Sequence, residues 1–144
     1  MDNFEKRDRY AYLSKKLDSA LDNEFYYEAI LIEYAIMDDR TKSIMRHANY
    51  SFKDKRDDTL YNRLNVINSN PLFDNDKCNK AFDMEFIDRV NNWRDQRNGI
   101  IHALVEHNYD ETSVKNFAIE GDAIVKHLCS KSKTINKWFD EGKC

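Results

Sequence analysis

The stretch NEFYYEAILIEYAIM at residues 23–37 constrains the fold of this chain more than any other part of its sequence. On a helical wheel its apolar residues lie almost all the way round, and Glu28 and Glu33 interrupt them. A surface helix needs only one apolar stripe, so a helix that is apolar on nearly every side must be covered by other elements. The stretch therefore predicts a central, largely buried helix over about residues 23–48.

The elements that cover this helix are predicted to be helices as well. The 144 residues include only one proline and three glycines, and long stretches without these breakers favour long helices over short strands. With 41% hydrophobic residues the chain can form a real core, and no linker rich in proline, glycine or serine divides it. We expect one domain over residues 1–144, folded as an all-α bundle of four or five helices.

Apolar spacing and turn-forming residues give approximate bounds for these helices. A polar connection is expected at 51–58, and a loop at 70–80, because asparagine, aspartate and proline favour turns there. The segment HNYDET is expected to close the fourth helix and to supply the N-cap of the last. The predicted helices cover about 3–20, 23–48, Asp57 or Asp58 to a point before Pro71, 82–107 and 111–139.

The sequence also predicts a cytoplasmic protein without a membrane span or a cofactor. No apolar run approaches the roughly 20 residues of a transmembrane helix, and the N-terminus is charged where a signal peptide would be apolar. Cys78, Cys129 and Cys144 are odd in number and share no CxxC spacing, so we expect reduced thiols and no zinc site. The four histidines are scattered and no HExxH motif occurs, so no metal is expected.

The charge distribution limits how this chain could bind nucleic acid. A formal net charge of −3 argues against a coat protein whose whole surface neutralises phosphates. A local basic site remains open, because Arg89, Arg94 and Arg97 cluster on one predicted helix. The lysines of the C-terminal segment are interpreted as an ordinary solvated helix face.

The motif RNGIIH at residues 97–102 places two chemically capable side chains in an apolar segment. Arg97 occupies a position of the apolar stripe where leucine would be expected, so it must meet a carboxylate, open onto a cleft or lie at a subunit interface. Glu33 is the expected partner, with Asp38 and Asp39 as alternatives. A guanidinium can grip a phosphate with two donors, and the imidazole of His102 can move a proton near neutral pH.

An all-α chain with an arginine, a following Asn98 and a histidine after four intervening residues resembles the HEPN superfamily. The resemblance implies a metal-independent endoribonuclease from toxin–antitoxin, abortive-infection or CRISPR antiviral defence systems. It also implies an RNA substrate, a homodimer that brings two motifs to one cleft, and an antitoxin or defence-system partner. Arg97 would bind the phosphate, His102 would transfer protons, and Asn98 would hold a ribose hydroxyl or orient one of the other two.

Two features of the sequence bear on this resemblance. Arg40 and His47 also match the family's spacing, with six residues between them, although Arg40 lies among acids on what is expected to be an exposed helix end. Toxins of the superfamily that pair with a minimal nucleotidyltransferase carry an adenylylated tyrosine two residues after the histidine. Leu104 occupies that position here and Tyr109 lies too far along the chain, so control by this modification is not expected.

A second hypothesis from a different class stands beside the nuclease. The chain could be a non-catalytic helical module that binds RNA or a protein, with Arg97 in a structural ion pair and His102 as a packed imidazole. Accessibility of His102 beside Arg97 discriminates between the two hypotheses.

Overall fold

The structure, a computed structural model, describes residues 3–102, 104–105 and 110–142, and within these ranges it contains helices and no strands. The all-α prediction is confirmed, with one short helix more than the four or five expected. Two 3₁₀ turns lie at Lys55–Asp57 and Pro71–Phe73. The helices are α1 (Asn3–Asp22), α2 (Tyr26–His47), α3 (Leu60–Ser69), α4 (Asp76–Ala81), α5 (Met84–His102) and α6 (Glu111–Asp140).

Helix α2 is the centre of the bundle, as its sequence predicts. It packs most extensively along α6 and also contacts α1 and α3, while α5 packs against α3 and α6. Ile30, Met37 and Ile44 are completely buried. Tyr27 and Leu31 remain exposed, so the helix is covered on most sides but not on all.

The predicted loop at 70–80 contains a 3₁₀ turn and the short helix α4. Each begins at an asparagine whose side-chain oxygen caps the first turn: Asn70 accepts from Leu72 N at 3.0 Å, and Asn75 accepts from Cys78 N at 2.9 Å. Asparagine satisfies free amide groups at a helix start as readily as it forms a turn. The turn residues of this segment therefore begin two short helical elements.

Helix α3 begins at a different residue from those the sequence suggested. Thr59 is its N-cap, and the threonine hydroxyl accepts a hydrogen bond from Asn62 N at 3.2 Å. Asp58 does not cap the helix, because its carboxylate accepts a hydrogen bond from Arg63 Nε at 2.6 Å. The expected start at Asp57 or Asp58 was therefore early, and an ion pair explains the role of Asp58.

Helix α5 ends at His102, earlier than the predicted end at residue 107. Leu104 and Val105 form a turn and are exposed, by 47% and 96%. Residues 103, 106 and 107 of the predicted helix lie outside the described ranges.

Two further expectations concern the cysteines and the membrane. Cys78 and Cys129 are free thiols, while Cys144 lies outside the described residues. Among the described residues no helix is both long enough and apolar enough to cross a bilayer.

Candidate functional site

Helix α5 holds Arg97 against the central helix α2. Trp93 and Ile100 flank Arg97 along the apolar stripe, and both are buried in the core. The Arg97 side chain is half-buried. The guanidinium carbon lies 4.0 Å from the centre of the Tyr34 ring, a cation–π contact with α2. Arg97 Nη1 donates to Asn98 Oδ1 at 3.1 Å. Both contacts position the guanidinium and neither neutralises its charge.

The absence of an acid partner distinguishes Arg97 from the other shielded arginines. Five of the nine arginines are less than fully exposed, and four of these five form an ion pair within the described residues. No described carboxylate lies within ion-pair distance of Arg97, and its buried Nε has no hydrogen-bond partner among the described residues. The four pairs are Arg40–Asp39, Arg63 with both Asp38 and Asp58, Arg89–Glu120 and Arg94–Asp95.

This result corrects the predicted ion pair between Arg97 and Glu33. Both carboxyl oxygens of Glu33 are buried without a hydrogen-bond partner among the described residues. The reason is geometric, because adjacent residues of a helix project about 100° apart and Tyr34, not Glu33, points towards Arg97. The alternatives are also engaged elsewhere: Asp38 pairs with Arg63 at 2.7 Å and Asp39 with Arg40 at 2.5 Å.

Glu33 instead fits closely against α5 and α6. A Cβ atom built on Gly121 would lie 2.7 Å from both Glu33 Cδ and Trp93 Cζ2, so glycine is required for this approach. Burial, and secondarily the negative charge of Asp122, raise the pKa of Glu33 from 4.5 to about 9. With no described cation beside it to offset its burial, the Glu33 carboxyl group keeps its proton at neutral pH.

His102 is the last residue of α5, and it is exposed. Helix α5 is regular from Met84 to His102, so residues 97 and 102 project about 140° apart around its axis. Glycine at position 99 permits a local distortion that could bring the two residues together, but the helix is continuous there. A Cβ atom added to Gly99 would meet nothing within 4 Å among the described residues, so this side of the motif is open to a second molecule.

Arg40 and His47, the other two residues with the family's spacing, each contact an acidic side chain. Arg40 is not at an exposed helix end as expected, since its side chain is only 24% exposed and pairs with Asp39. His47 Nδ1 lies 2.6 Å from Asp140 Oδ1. The geometry therefore favours Arg97 over Arg40 as a binding site for an outside anion.

Of the three arginines in the predicted basic cluster on α5, two are paired with carboxylates. Arg89 forms two hydrogen bonds with Glu120, at 2.6 and 3.1 Å, and Arg94 pairs with Asp95 at 2.8 Å. Arg97 alone of the three keeps its charge uncompensated by a described carboxylate.

Sequence reasoning missed the most buried arginine, Arg63. Its side chain is 1% exposed and donates to Asp58 at 2.6 Å, to Asp38 at 2.7 Å and to the Thr41 hydroxyl at 3.2 Å. The available signal was the one that singled out Arg97, an arginine on an apolar stripe, here beside Leu60 and Leu64. Its full set of acceptors makes Arg63 a structural ion pair that joins α2 to α3.

Two residues near the motif, Leu104 and Tyr109, bear on control by tyrosine modification. Leu104 is exposed, and Tyr109 lies outside the described residues. Among the described residues, no group of three or more histidine, cysteine or acidic side chains is placed to bind a metal ion.

No protein-family model, curated protein or solved structure matches this chain.

Proposed function

We propose that this protein is a HEPN-type endoribonuclease that cleaves RNA without a metal ion, as a toxin or a phage-defence component. One observation carries the proposal: Arg97 is held in place by Tyr34 and Asn98, yet no described carboxylate neutralises it. Keeping a half-buried cation unpaired has a free-energy cost, and a phosphate ligand would remove that cost.

The chemistry follows from the two motif residues. The 2′-hydroxyl oxygen of an RNA ribose attacks the adjacent phosphorus, and the bond from phosphorus to the 5′-oxygen of the next nucleotide breaks. His102 removes the proton from the 2′-hydroxyl or supplies one to the leaving oxygen. Arg97 binds the phosphate and stabilises the negative charge that grows on its oxygens. The products are a 2′,3′-cyclic phosphate and a 5′-hydroxyl.

Asn98 acts in this scheme as a positioning residue. Its Oδ1 atom accepts from Arg97 Nη1 and holds the guanidinium beside the Tyr34 ring. Of the roles considered for it, orienting Arg97 is the one that this contact supports.

The proposal includes a twofold dimer. Because Arg97 and His102 diverge around α5, one copy of the helix does not bring both groups to the same phosphate, whereas a second copy can supply the missing group. The open side of Gly99 and the exposed Leu104 and Val105 support an interface at this end of α5. An antitoxin or another defence-system protein is expected to cover the same surface.

A cleavage assay in EDTA tests the proposed reaction. Purified protein is incubated with total RNA and tRNA, and the product ends are identified by their sensitivity to phosphatase and by mass spectrometry. The proposal expects cleavage that survives EDTA and leaves 2′,3′-cyclic phosphates. Loss of cleavage on chelation, with recovery in Mg²⁺ or Mn²⁺, would rule out this mechanism. RNA binding without cleavage would favour the non-catalytic module.

A further inference from the structure

A cavity of about 540 Å³ opens between α5 and the N-terminal half of α6. Three carboxamides line it, from Asn92, Gln96 and Asn116. All three side chains are exposed, and none forms a hydrogen bond with another described residue. Their donors and acceptors are therefore available to a ligand.

Two buried aromatic residues, Trp93 and Phe117, line the inner side of the cavity. Trp93 and Phe117 stack there with ring centres 4.7 Å apart and ring planes within 4° of each other. The indole Nε1 donates to Phe117 O at 3.1 Å, which fixes the pair. The rigid rings join α5 to α6 and keep the carboxamides of the two helices facing one cavity.

The charges that line the cavity cancel. Arg89 and Glu120 are the charged residues of its described lining, and they form a two-bond ion pair with each other. The remaining polar groups are neutral and carry both donors and acceptors. Such a lining suits an uncharged ligand that carries both donors and acceptors, as a nucleobase does.

The cavity also lies next to the proposed phosphate site. Its residues on α5 run from Arg89 to Gln96, and Arg97 follows directly. At a rise of about 1.5 Å per residue, the cavity covers roughly 10 Å of the helix immediately before Arg97. Gln96 and Arg97 project about 100° apart around α5, so a nucleotide with its base in this cavity extends around the helix to bring its phosphate to Arg97.

We propose that the cavity binds one unpaired base of the RNA substrate beside the cleaved phosphate, and that adenine is the preferred base. Asparagine and glutamine side chains form paired hydrogen bonds with the N6 donor and the N7 acceptor of adenine, whereas the same edge of guanine presents two acceptors. The inference rests on the proposed nuclease function and adds base recognition to it. Gln96 and Asn116, one from each helix, determine specificity.

Binding of nucleotides to catalytically disabled protein tests the proposal independently of cleavage. The four nucleoside 3′-monophosphates are titrated into His102→Ala protein and followed by NMR spectroscopy. Adenosine 3′-monophosphate is expected to bind most tightly and to shift the side-chain amide signals of Gln96 and Asn116. Gln96→Ala and Asn116→Ala should each weaken its binding by about fivefold or more, as expected for a lost hydrogen bond. Asn68→Ala, an exposed amide of α3, is the matched control and should leave binding unchanged.

Cleavage by the active protein provides the second measurement. With RNAs that differ in one unpaired base, Gln96→Ala should flatten the base preference by slowing cleavage of the RNA that carries adenine. Equal affinity for the four nucleotides, or a preference that survives both carboxamide variants, would overturn the base site. Selective adenosine binding by a protein that never cleaves RNA would instead support the cavity and reject the nuclease.

Discussion

The guanidinium carbon of Arg97 lies 4.0 Å from the centre of the Tyr34 ring, so α2 positions the side chain proposed to bind phosphate. This contact predicts that Tyr34 affects cleavage through Arg97. Tyr34→Leu should lower the rate about threefold to thirtyfold, the range expected for a lost cation–π contact. Tyr34→Phe keeps the ring and should retain the wild-type rate. For each variant, kcat and its pH profile are measured, and circular dichroism checks the fold. Equal cleavage rates for the two variants would show that the Tyr34 ring does not position Arg97.

Glu33 should make the protein less stable as the pH rises. Its pKa is 4.5 when unfolded and about 9 in the fold, so the folded state holds the proton more tightly. The resulting stabilisation is fully present below pH 4.5 and is lost as the pH rises towards 9. Glu33→Gln should therefore raise the free energy of unfolding at pH 8 by a few kcal/mol, an order-of-magnitude estimate from the size of the shift. Urea denaturation at several pH values measures the free energy of unfolding of both proteins. The same dependence of this free energy on pH in the variant and in the wild type would contradict the prediction.

Gly121 should not tolerate a methyl group. In Gly121→Ala the new Cβ would press on the Glu33 carboxyl and the Trp93 ring, and overpacking of this kind costs about 1–3 kcal/mol. Gly99→Ala is the matched control within a helix, because its Cβ would meet no described atom within 4 Å and alanine favours helix. Thermal unfolding should show a lower Tm for the first variant only. Equal Tm values would mean that the contact between α2, α5 and α6 is looser than described.

The exposed end of α5 should form the dimer interface. Val105 is 96% exposed beside His102, and Val105→Asp would place charges at the twofold contact. This variant should sediment as a monomer at micromolar concentration and lose cleavage, with its helix content unchanged. Met84→Asp, at the opposite end of α5 and also exposed, is the control and should remain dimeric. A strictly monomeric wild-type protein with full nuclease activity would contradict a shared site.

The helical fold could be predicted from the sequence because its signals are local. The apolar run of α2 and the scarcity of glycine and proline indicate a helical bundle with a central helix, and the structure agrees. Partners of buried charges depend on tertiary placement instead. Arg63 and Arg97 interrupt apolar stripes in the same way, yet Arg63 meets two carboxylates and Arg97 meets an aromatic ring. Glu33 and Tyr34 are neighbours, so only the rotation of α2 against α5 decides which of them faces Arg97.

The two residue pairs that match the family spacing permit the most direct test of the central claim. In EDTA-containing buffer, cleavage rates of one RNA are compared for His102→Ala, His47→Ala and His127→Ala, the last an exposed histidine of α6 as control. Arg97→Ala is compared with Arg94→Ala, which removes a half-buried arginine of the same helix that has an acid partner. The account predicts that His102→Ala and Arg97→Ala each reduce cleavage by at least about a hundredfold and that the other variants change it little. A folded, dimeric His102→Ala protein that cleaves at the wild-type rate, while His47→Ala does not, would contradict it.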